Sequence, residues 1–277
     1  MEIIEHLAEK LEGWFRKVGK AAIALSGGID STLVAYVARQ QLGKENVVAI
    51  ISASASVKQR ELEAARDFCQ KFDITLKEID AREIDVFDYR KNPINRCFYC
   101  KTSLYKEMEK LIADKYPGYP VLNGNNYSDF GDFRPGLQAA EEYKVYSPLA
   151  ECKFIKEDIR NVARYYNLPN WNKPASPCLS SRFPYGEEIS VDKLKMIEKA
   201  EDILNDFGFD DVRVRYINNS ARIEVPSDQL SGLEQAFDQI APSILSFGFE
   251  NCEIDAEGLI SGKLNRNIAR LTDHKKE

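Results

Sequence analysis

The sequence predicts an α/β fold, a mostly parallel sheet with helices on both faces, followed by a smaller α+β domain. Strand-like and helix-like segments alternate through residues 3–166, which is typical of a parallel sheet with crossover helices. The first strand runs directly into the turn Ser26-Gly27-Gly28, which opens a helix. A proline-rich stretch from Asn167 to Glu188 then separates this region from a shorter set of strands and helices.

The first element is predicted to be an amphipathic helix, because apolar side chains recur at helical spacing over residues 3–18. Short apolar runs that fit buried strands then alternate with segments of helical period. The predicted strands are 22–25, 47–52, 74–79, 121–124 and 145–149. The predicted helices are 30–41, 58–72, 101–114, 135–143 and 156–166. Ligands of such sheets bind beyond the carboxyl ends of the strands, so we expect the functional site there.

The second domain is predicted from a different pattern, a helix followed by a hairpin. A helix is expected at 191–206, and two short strands flank the turn residues Asn218-Asn219. Another helix and a last strand near 249–255 complete this part, and the charged tail after Leu271 is expected to be disordered. The predicted strands of the hairpin are 212–216 and 221–225. The predicted boundaries are 1–170 for the α/β domain, 171–189 for an ordered, cysteine-bearing connecting loop and 190–277 for a substrate-binding or oligomerisation domain.

Size and charge limit the function classes. The chain has 277 residues, 44% of them hydrophobic, and 38 basic against 44 acidic side chains give a net charge of −6. An acidic chain is poorly suited to grip long nucleic acid, so a small-molecule substrate is favoured. No apolar run approaches the roughly 20 residues that cross a bilayer, and no basic-then-apolar signal pattern opens the chain, so we expect a cytoplasmic protein without a membrane partner. Its cysteines are then expected to be reduced, with Cys69, Cys152 and Cys252 in structural positions.

The turn after the first strand has the features of a phosphate-binding loop. Ala22–Leu25 read as a buried strand, and Asp30 begins a stretch of helical period. Glycines let backbone N–H groups approach a ligand, and the start of a helix adds unsatisfied donors and a positive dipole end. Ser26 and Ser31 add hydroxyl groups. An ordinary strand-to-helix turn is the alternative, and the Gly-Lys-Ser/Thr ending of a Walker A loop is absent.

Three cysteines form a candidate metal site. Cys97 and Cys100 are a C-x2-C pair, and Cys178 lies in a similarly polar, proline-containing segment. A structural zinc site usually takes four protein ligands, and His6 and His274 lie near the chain termini. A 4Fe-4S cluster held by three thiolates is the sharper hypothesis, because it leaves one iron open to an outside ligand. Ordinary thiols and a redox disulfide are the alternatives.

Two arginines form a candidate anion clamp. Arg213 and Arg215 flank Val214 in a predicted strand, so the period of two places both guanidinium groups on one face. A guanidinium binds carboxylate or phosphate through two parallel hydrogen bonds, which suits a substrate that carries both groups. A solvated strand face is the alternative.

The string Leu25–Ser31, LSGGIDS, resembles the SGGxDS signature of the PP-loop ATP pyrophosphatases. The resemblance implies that ATP, with Mg²⁺, is cleaved between its α and β phosphates and that AMP is placed on a substrate oxygen. It also assigns nucleotide binding to the loop. The residues implied are Ser26, Gly27, Gly28, Asp30 and Ser31.

A second resemblance covers most of the chain. Residues 172–186, NKPASPCLSSRFPYG, are similar to the cysteine-bearing loop of the LarE family, the sulfur transferases that make the nickel-pincer nucleotide cofactor. The segments 123–125 (NGN), Asp129 and 132–136 (DFRPG) resemble that family's nucleotide-site motifs. They imply that the nucleotide is also bound by Gly124, Asn125, Asp129 and Arg134.

The LarE resemblance also implies roles for other residues. One branch of the family sacrifices the sulfur of its loop cysteine, and another adds a C-x2-C pair and is thought to use an iron–sulfur cluster; this chain resembles the second. The VRVR pattern of residues 212–215 matches LarE-like proteins, and Glu201 fits a family acidic position. The resemblance therefore implies catalytic roles for Cys97, Cys100, Cys178 and Glu201, and substrate binding by Arg182, Arg213 and Arg215.

These resemblances imply an ATP-dependent sulfur transferase that adenylates a carboxylate of pyridinium biscarboxylic acid mononucleotide and converts it to a thiocarboxylate. Sulfur would come from sulfide or a sulfur-donor protein by way of the 4Fe-4S cluster, and LarE-like proteins tend to form homo-oligomers. A PP-loop tRNA thiolase, a PP-loop amide-forming ligase and a non-catalytic nucleotide-binding protein with structural zinc are the alternatives. The acidic charge disfavours the first, and the absence of an evident glutaminase domain disfavours the second.

Overall fold

The computed structural model describes residues 2–131, 135–174, 176–260, 262–263 and 266. These residues form two compact units, one drawn from 1–83 and 95–176 and the other from 84–94 and 177–277. No helix in the described part of the chain is long and apolar enough to cross a membrane.

The first unit is a four-stranded parallel sheet with helices on both faces, as the sequence predicts. Its strands lie in the order β3-β2-β1-β4. They are β1 (Ala21–Ala24), β2 (Val47–Ser52), β3 (Thr75–Ile79) and β4 (Val121–Leu122). The helices are α1 (Glu2–Phe15), α2 (Ile29–Leu42), α3 (Gln59–Lys71), α5 (Arg96–Lys115), α6 (Pro135–Glu142), α7 (Pro148–Glu151) and α8 (Lys156–Tyr165). The remaining helix of the numbering, α4 (Phe87–Arg90), belongs to the second unit.

The central strands β1 and β2 are apolar except for Ser52 at the end of β2, because both faces of the sheet are covered. Ala21 and Ile23 of β1 pack in one hydrophobic cluster with Phe15 of α1 and Val34 of α2. The alternate β1 residues, Ala22 and Ala24, pack in a second cluster. Helices α5 and α6 supply Leu104, Met108 and Ala139 to that second cluster. The two-residue period of a strand thus directs neighbouring side chains into opposite cores.

Two predicted elements of this unit are wrong in detail. The predicted strand at 145–149 is an isolated parallel bridge between Tyr146 and Leu122, followed by α7. Pro148 begins α7, because its fixed φ and missing N–H suit the first turn of a helix and not the middle of a ladder. Helix α5 begins at Arg96, five residues before the predicted start, so the C-x2-C pair is helical.

The second unit contains a three-stranded sheet in the order β5-β6-β7, with strands β5 (Arg213–Ile217), β6 (Ser220–Glu224) and β7 (Asn251–Ile254). Strands β5 and β6 are antiparallel, and β7 is parallel to β6. Asn218 and Asn219 both have positive φ, 47° and 62°, which is the conformation that a two-residue hairpin turn needs and that asparagine tolerates. The predicted hairpin is confirmed. Helices α9 (Val191–Asp206) and α10 (Leu230–Leu245) also belong to this unit.

The two units are divided differently from the predicted boundaries at residues 170 and 189. The division along the chain falls after residue 176, and the short segment 84–94 joins the second unit. Residues 84–94, which lie between β3 and α5 in the chain, belong to the second unit. The backbone N–H of Ile189 donates to Arg90, and the side-chain amide of Asn92 donates to the carbonyl of Pro184 at 2.6 Å. Long-range hydrogen bonds of this kind leave no local sequence signal.

Candidate functional site

The loop between β1 and α2 has the geometry expected of a phosphate-binding turn. Gly27 has a φ of +73°, and a Cβ there would lie 3.4 Å from both the backbone oxygen and the carboxylate Oε2 of Glu61. Gly28 is the extended N-cap residue of α2. The first amides of α2 lack intrahelical acceptors, so they and the positive end of the helix can bind an anion.

The serines brace this loop from within. Ser31 Oγ accepts a hydrogen bond from the backbone N–H of Ser26 at 3.1 Å and donates to the carbonyl of Gly28 at 3.1 Å. It also lies 3.0 Å from Ser26 Oγ. The two hydroxyl groups therefore fix the loop's shape as well as offering polar atoms to a ligand.

Gly124 is brought directly against the start of α2. A Cβ on Gly124 would lie 2.6 Å from the backbone nitrogen of Ser31, so no side chain fits there without moving backbone. The neighbouring turn is held by the buried side chain of Asn123, whose Oδ1 accepts from Asn125 N–H at 3.0 Å and from Ser147 Oγ at 2.8 Å. The NGN segment is thus adjacent to the glycine loop, and the nucleotide-binding role of Gly124 and Asn125 stays a prediction.

The other two nucleotide-site residues from the sequence have different outcomes. Asp129 is buried, and its Oδ2 accepts a hydrogen bond from the backbone N–H of Asn126 at 3.0 Å, which closes a tight turn. Its nucleotide-binding role stays a prediction. Arg134 lies outside the described residues.

Two lysines flank the glycine loop, and sequence reasoning missed both. Lys156 Nζ contacts both carboxylate oxygens of Asp30, at 2.9 and 2.7 Å. Lys173 Nζ contacts Glu61 Oε2 at 2.6 Å. Lys156 is the first residue of α8, where a positive charge opposes the helix dipole. That unfavourable position was the available sequence signal.

Two cavities adjoin these residues within the first unit. The larger, about 660 Å³, is mainly apolar in its lining and includes Asn125 beside the NGN turn. The smaller, about 320 Å³, lies beside the glycine loop. The lining of the smaller cavity is Gly27, Thr32, Ala64, Asp67, Phe68, Lys71, Pro169, Asn170 and Lys173.

The C-x2-C pair occupies the beginning of α5. Residues three apart on a helix share a face, so Cys97 and Cys100 present their thiols on one side. Cys97 is exposed and Cys100 is partly exposed. Gly136 of α6 packs against this turn, since a Cβ there would lie 3.2 Å from Lys101 Cγ. The pair can therefore offer two thiolates to one metal centre.

Cys178 is an exposed residue of the second unit. It precedes a short 3-10 turn over Leu179–Arg182. None of the six cysteines, all of which lie in the described part of the chain, forms a disulfide. The described residues contain no group of three or more His, Cys, Asp or Glu side chains already arranged to hold a metal ion. Three exposed or partly exposed thiols have the donor chemistry of an iron–sulfur ligand set, and the three-cysteine cluster stays a prediction.

The predicted arginines and Glu201 lie together in the second unit. Arg182 Nε and Nη2 donate to Glu201 at 2.8 and 3.1 Å, and both side chains are buried. Arg215 is also buried and donates from Nε and Nη2 to Glu224 Oε2 at 2.9 and 2.7 Å. Glu224 was missed because no local pattern marks it. Both guanidinium groups are thus committed to carboxylates.

Arg213 differs from its two neighbours. It is half-buried, and among the described residues it has no carboxylate at ion-pair distance. Burial lowers the pKa of the Arg213 guanidinium, and the positive charges of Arg182 and Arg215 lower that pKa further. A half-buried cation that is repelled by two others would be stabilised by a bound anion. Arg213 is therefore the arginine best placed to bind one.

The remaining cysteines have the properties of structural thiols. Burial raises the pKa of Cys69 to about 12 and that of Cys252 to about 11, and it also raises the pKa of Cys152. A raised thiol pKa keeps the reactive thiolate scarce at about pH 8. We expect iodoacetamide to label exposed Cys97 and Cys178 well before these three, as followed by peptide mass spectrometry. Equally fast labelling of Cys69 would contradict this account.

Known proteins resemble the chain across both units. A family model described as NAD synthase matches residues 3–93. An uncharacterized protein of Synechocystis is 42% identical over 270 residues, which cover 97% of this chain and 100% of that protein. Pyridinium-3,5-bisthiocarboxylic acid mononucleotide synthase of Lactiplantibacillus plantarum is 33% identical over 251 residues, 91% of each chain. An uncharacterized protein of Methanocaldococcus jannaschii is 32% identical over 238 residues, 86% of this chain and 90% of that protein.

Proposed function

The chain belongs to the LarE family of PP-loop, ATP-dependent enzymes, and we propose that it adenylates a carboxylate of pyridinium biscarboxylic acid mononucleotide and converts it to a thiocarboxylate. The observation that carries the proposal is the similarity to the Lactiplantibacillus plantarum synthase, which extends over 91% of each chain. It includes both the glycine loop of the first unit and the arginine cluster of the second.

Activation of the carboxylate is the task of the first unit. The amides at the start of α2 would bind the β and γ phosphates, and Gly27, Gly28 and Gly124 leave room for close approach of the backbone. Asp30 would hold Mg²⁺, an ion that prefers carboxylate oxygens and phosphate, and Lys156 would then shift from Asp30 toward the phosphates. A substrate carboxylate oxygen attacks the α phosphorus, pyrophosphate leaves, and an acyl adenylate remains.

Sulfur transfer completes the reaction. Sulfide attacks the acyl carbon and AMP leaves, so the carboxylate exchanges one oxygen for sulfur without any net oxidation or reduction. We propose that Cys97, Cys100 and Cys178 hold a 4Fe-4S cluster, which supplies an iron with a position open to an outside sulfur ligand. Exposure of Cys97 and Cys178, and the shared helix face of the pair, support this ligand set.

The substrate's negative charge would be held in the second unit by Arg213. Arg213→Ala is expected to raise the KM for the mononucleotide by a factor that corresponds to roughly 1.5–3 kcal/mol, the worth of a charged hydrogen bond. The KM for ATP should not change, because the glycine loop belongs to the other unit.

The matched control for Arg213→Ala is Arg222→Ala. Arg222 lies on the adjacent strand β6 and pairs with partly exposed Glu253 at 2.6 Å. Its loss should leave both KM values unchanged. Steady-state kinetics measures both KM values in the two variants. A wild-type KM for the mononucleotide in Arg213→Ala would contradict substrate binding by Arg213 and favour the alternative, a solvated strand face.

The cellular setting is part of the proposal. The substrate is a small nucleotide, the sulfur source is sulfide or a sulfur-donor protein, and nucleic acid is not a partner, as the net charge of −6 supports. Thiols without disulfides fit a reducing compartment, so we place the enzyme in the cytoplasm and, by its LarE membership, in a homo-oligomer.

Amide formation is the second candidate, since the NAD synthase model matches residues 3–93. That match covers the glycine loop but neither Cys178 nor the arginine cluster. Both candidates would release AMP and pyrophosphate, so the product, a thiocarboxylate or an amide, separates them. The fate of ATP in the presence of the mononucleotide tests the PP-loop chemistry that they share. Substrate-dependent release of AMP and pyrophosphate is expected, and release of ADP and phosphate would overturn the proposal.

A further inference from the structure

We propose that Arg182 and Arg215, each neutralised by a buried carboxylate, are positioning residues that hold the backbone on which Cys178 is carried. The segment concerned is residues 177–182, here called the Cys178 loop. The proposal rests on the proposed function in one respect, the role of Cys178 in sulfur transfer. Amide hydrogen exchange, the first measurement that tests it, does not depend on that function.

Arg182 reaches the loop with the part of its guanidinium that Glu201 does not use. Its Nη1 donates to the carbonyl of Pro177 at 2.7 Å and to that of Cys178 at 3.3 Å. The Arg182 side chain is 1% exposed and that of Glu201 is 2% exposed. One planar group therefore joins helix α9, which carries Glu201, to the two residues at the start of the loop.

Arg215 fixes the other end of the loop in the same way. Its Nη1 donates to the carbonyl of Ser181 at 2.7 Å, while Nε and Nη2 donate to Glu224. Ser181 in turn donates from its hydroxyl group to the carbonyl of Cys178 at 2.7 Å. The loop carbonyls on both sides of Leu179-Ser180 thus have charged or hydroxyl donors.

The residue between these anchors is also held. Ser180 is fully buried, and its hydroxyl lies 2.5 Å from the hydroxyl of buried Tyr89, in the inserted segment 84–94. Cys178 itself is exposed. The arrangement combines a backbone fixed by buried groups with a thiol that faces outward, which is what a group that must hold or deliver a ligand at one place requires.

Stability alone does not account for two buried ion pairs. Desolvation offsets most of the Coulombic gain, and well-packed apolar side chains of similar volume often stabilise a protein as much. Apolar side chains could not donate to the loop carbonyls, whereas a guanidinium offers five N–H donors in a rigid fork. The hydrogen bonds to the loop are therefore the specific contribution of these arginines.

The test is amide hydrogen exchange of Arg182→Lys and Arg215→Lys, because lysine keeps the charge but has one nitrogen in place of the planar fork. It therefore does not reproduce the separate bonds that the guanidinium nitrogens make to the carboxylate and to the loop carbonyl. Exchange of the Ser181 amide, which donates to the Cys178 carbonyl, should accelerate roughly tenfold or more, the effect of one lost charged hydrogen bond. The kcat for sulfur transfer should fall, with the KM for ATP unchanged. Arg222→Lys, at an ion pair on the same sheet, is the control and should match wild type in both readouts.

Ser181→Ala is a second variant, to be measured if replacement of a buried arginine prevents folding. It removes the hydroxyl that donates to the Cys178 carbonyl and accepts from Arg182 Nη1 at 2.9 Å, and it too should accelerate exchange within residues 177–183 alone. Unchanged exchange in the loop, or acceleration spread evenly through the second unit, would overturn the proposal. Local acceleration together with an inactive wild-type enzyme would support the positioning role and contradict the proposed function instead.

Discussion

Asp30→Ala is expected to abolish substrate-dependent pyrophosphate release. Asp30 is in the first turn of α2, and both of its carboxylate oxygens contact Lys156, so the side chain is already fixed in orientation beside the phosphate-binding amides. The carboxylate is the group of this loop that can hold Mg²⁺ on the phosphates. Loss of the metal's charge stabilisation corresponds to several kcal/mol of barrier, and hence to at least roughly a hundredfold in rate.

Folding should be little affected by the change at Asp30, because its partner Lys156 is 41% exposed and such pairs contribute about 0–1 kcal/mol. Asp73→Asn is the matched control: Asp73 also pairs with a lysine, Lys44, at 2.6 Å, but far along the chain from the glycine loop. Pyrophosphate release measured with saturating ATP should be lost in Asp30→Ala and retained in Asp73→Asn. Retained release in both would remove Asp30 from the chemistry.

Replacement of any one of the three candidate ligand cysteines is expected to remove both bound iron and sulfur transfer. A cluster of the 4Fe-4S type contains about four irons, so anaerobically purified wild-type protein should be brown with that content per chain. Cys97→Ser, Cys100→Ser and Cys178→Ser should each be colourless and inactive. Because the cluster needs all three thiolates, each single variant should lose iron and activity completely and to the same extent.

Cys69→Ala is the control for these variants. Cys69 is 2% exposed within the core of the first unit, and its raised pKa keeps it a protonated thiol. That variant should keep both iron and activity. Conversion of Cys178 to dehydroalanine after a single turnover by iron-free protein, seen in the intact mass, would contradict the cluster and indicate a sacrificial sulfur donor.

Those parts of the fold that a local sequence pattern determines could be predicted from the sequence. Buried parallel strands must be continuously apolar, so β1 and β2 were predicted almost to the residue. The hairpin turn was predicted because asparagine is one of few residues that tolerate the left-handed conformation seen at Asn218 and Asn219. The glycine loop was predicted from its strand-turn-helix pattern as well as from resemblance, and Gly124 was predicted from resemblance alone. The geometry explains why glycine is required at Gly27 and Gly124.

The parts that sequence reasoning missed all depend on contacts between distant residues. The assignment of 84–94 to the second unit rests on hydrogen bonds to residues near 180–189. Arg213 and Arg215, the arginines predicted as an anion clamp, lie on one face of their strand. Arg215, however, forms an ion pair with Glu224, and only the folded structure reveals that partner. The same holds for Lys156, which lies 126 residues from Asp30.

The mass of the product is the decisive measurement for ATP-dependent sulfur transfer to a carboxylate. Anaerobic, iron-loaded enzyme is mixed with ATP, Mg²⁺, the biscarboxylic mononucleotide and equal amounts of sulfide and ammonia. One AMP and one pyrophosphate are expected for each thiocarboxylate formed, and the product should be heavier by the difference between sulfur and oxygen. An amide product, or a mononucleotide of unchanged mass while ATP is consumed, would contradict it.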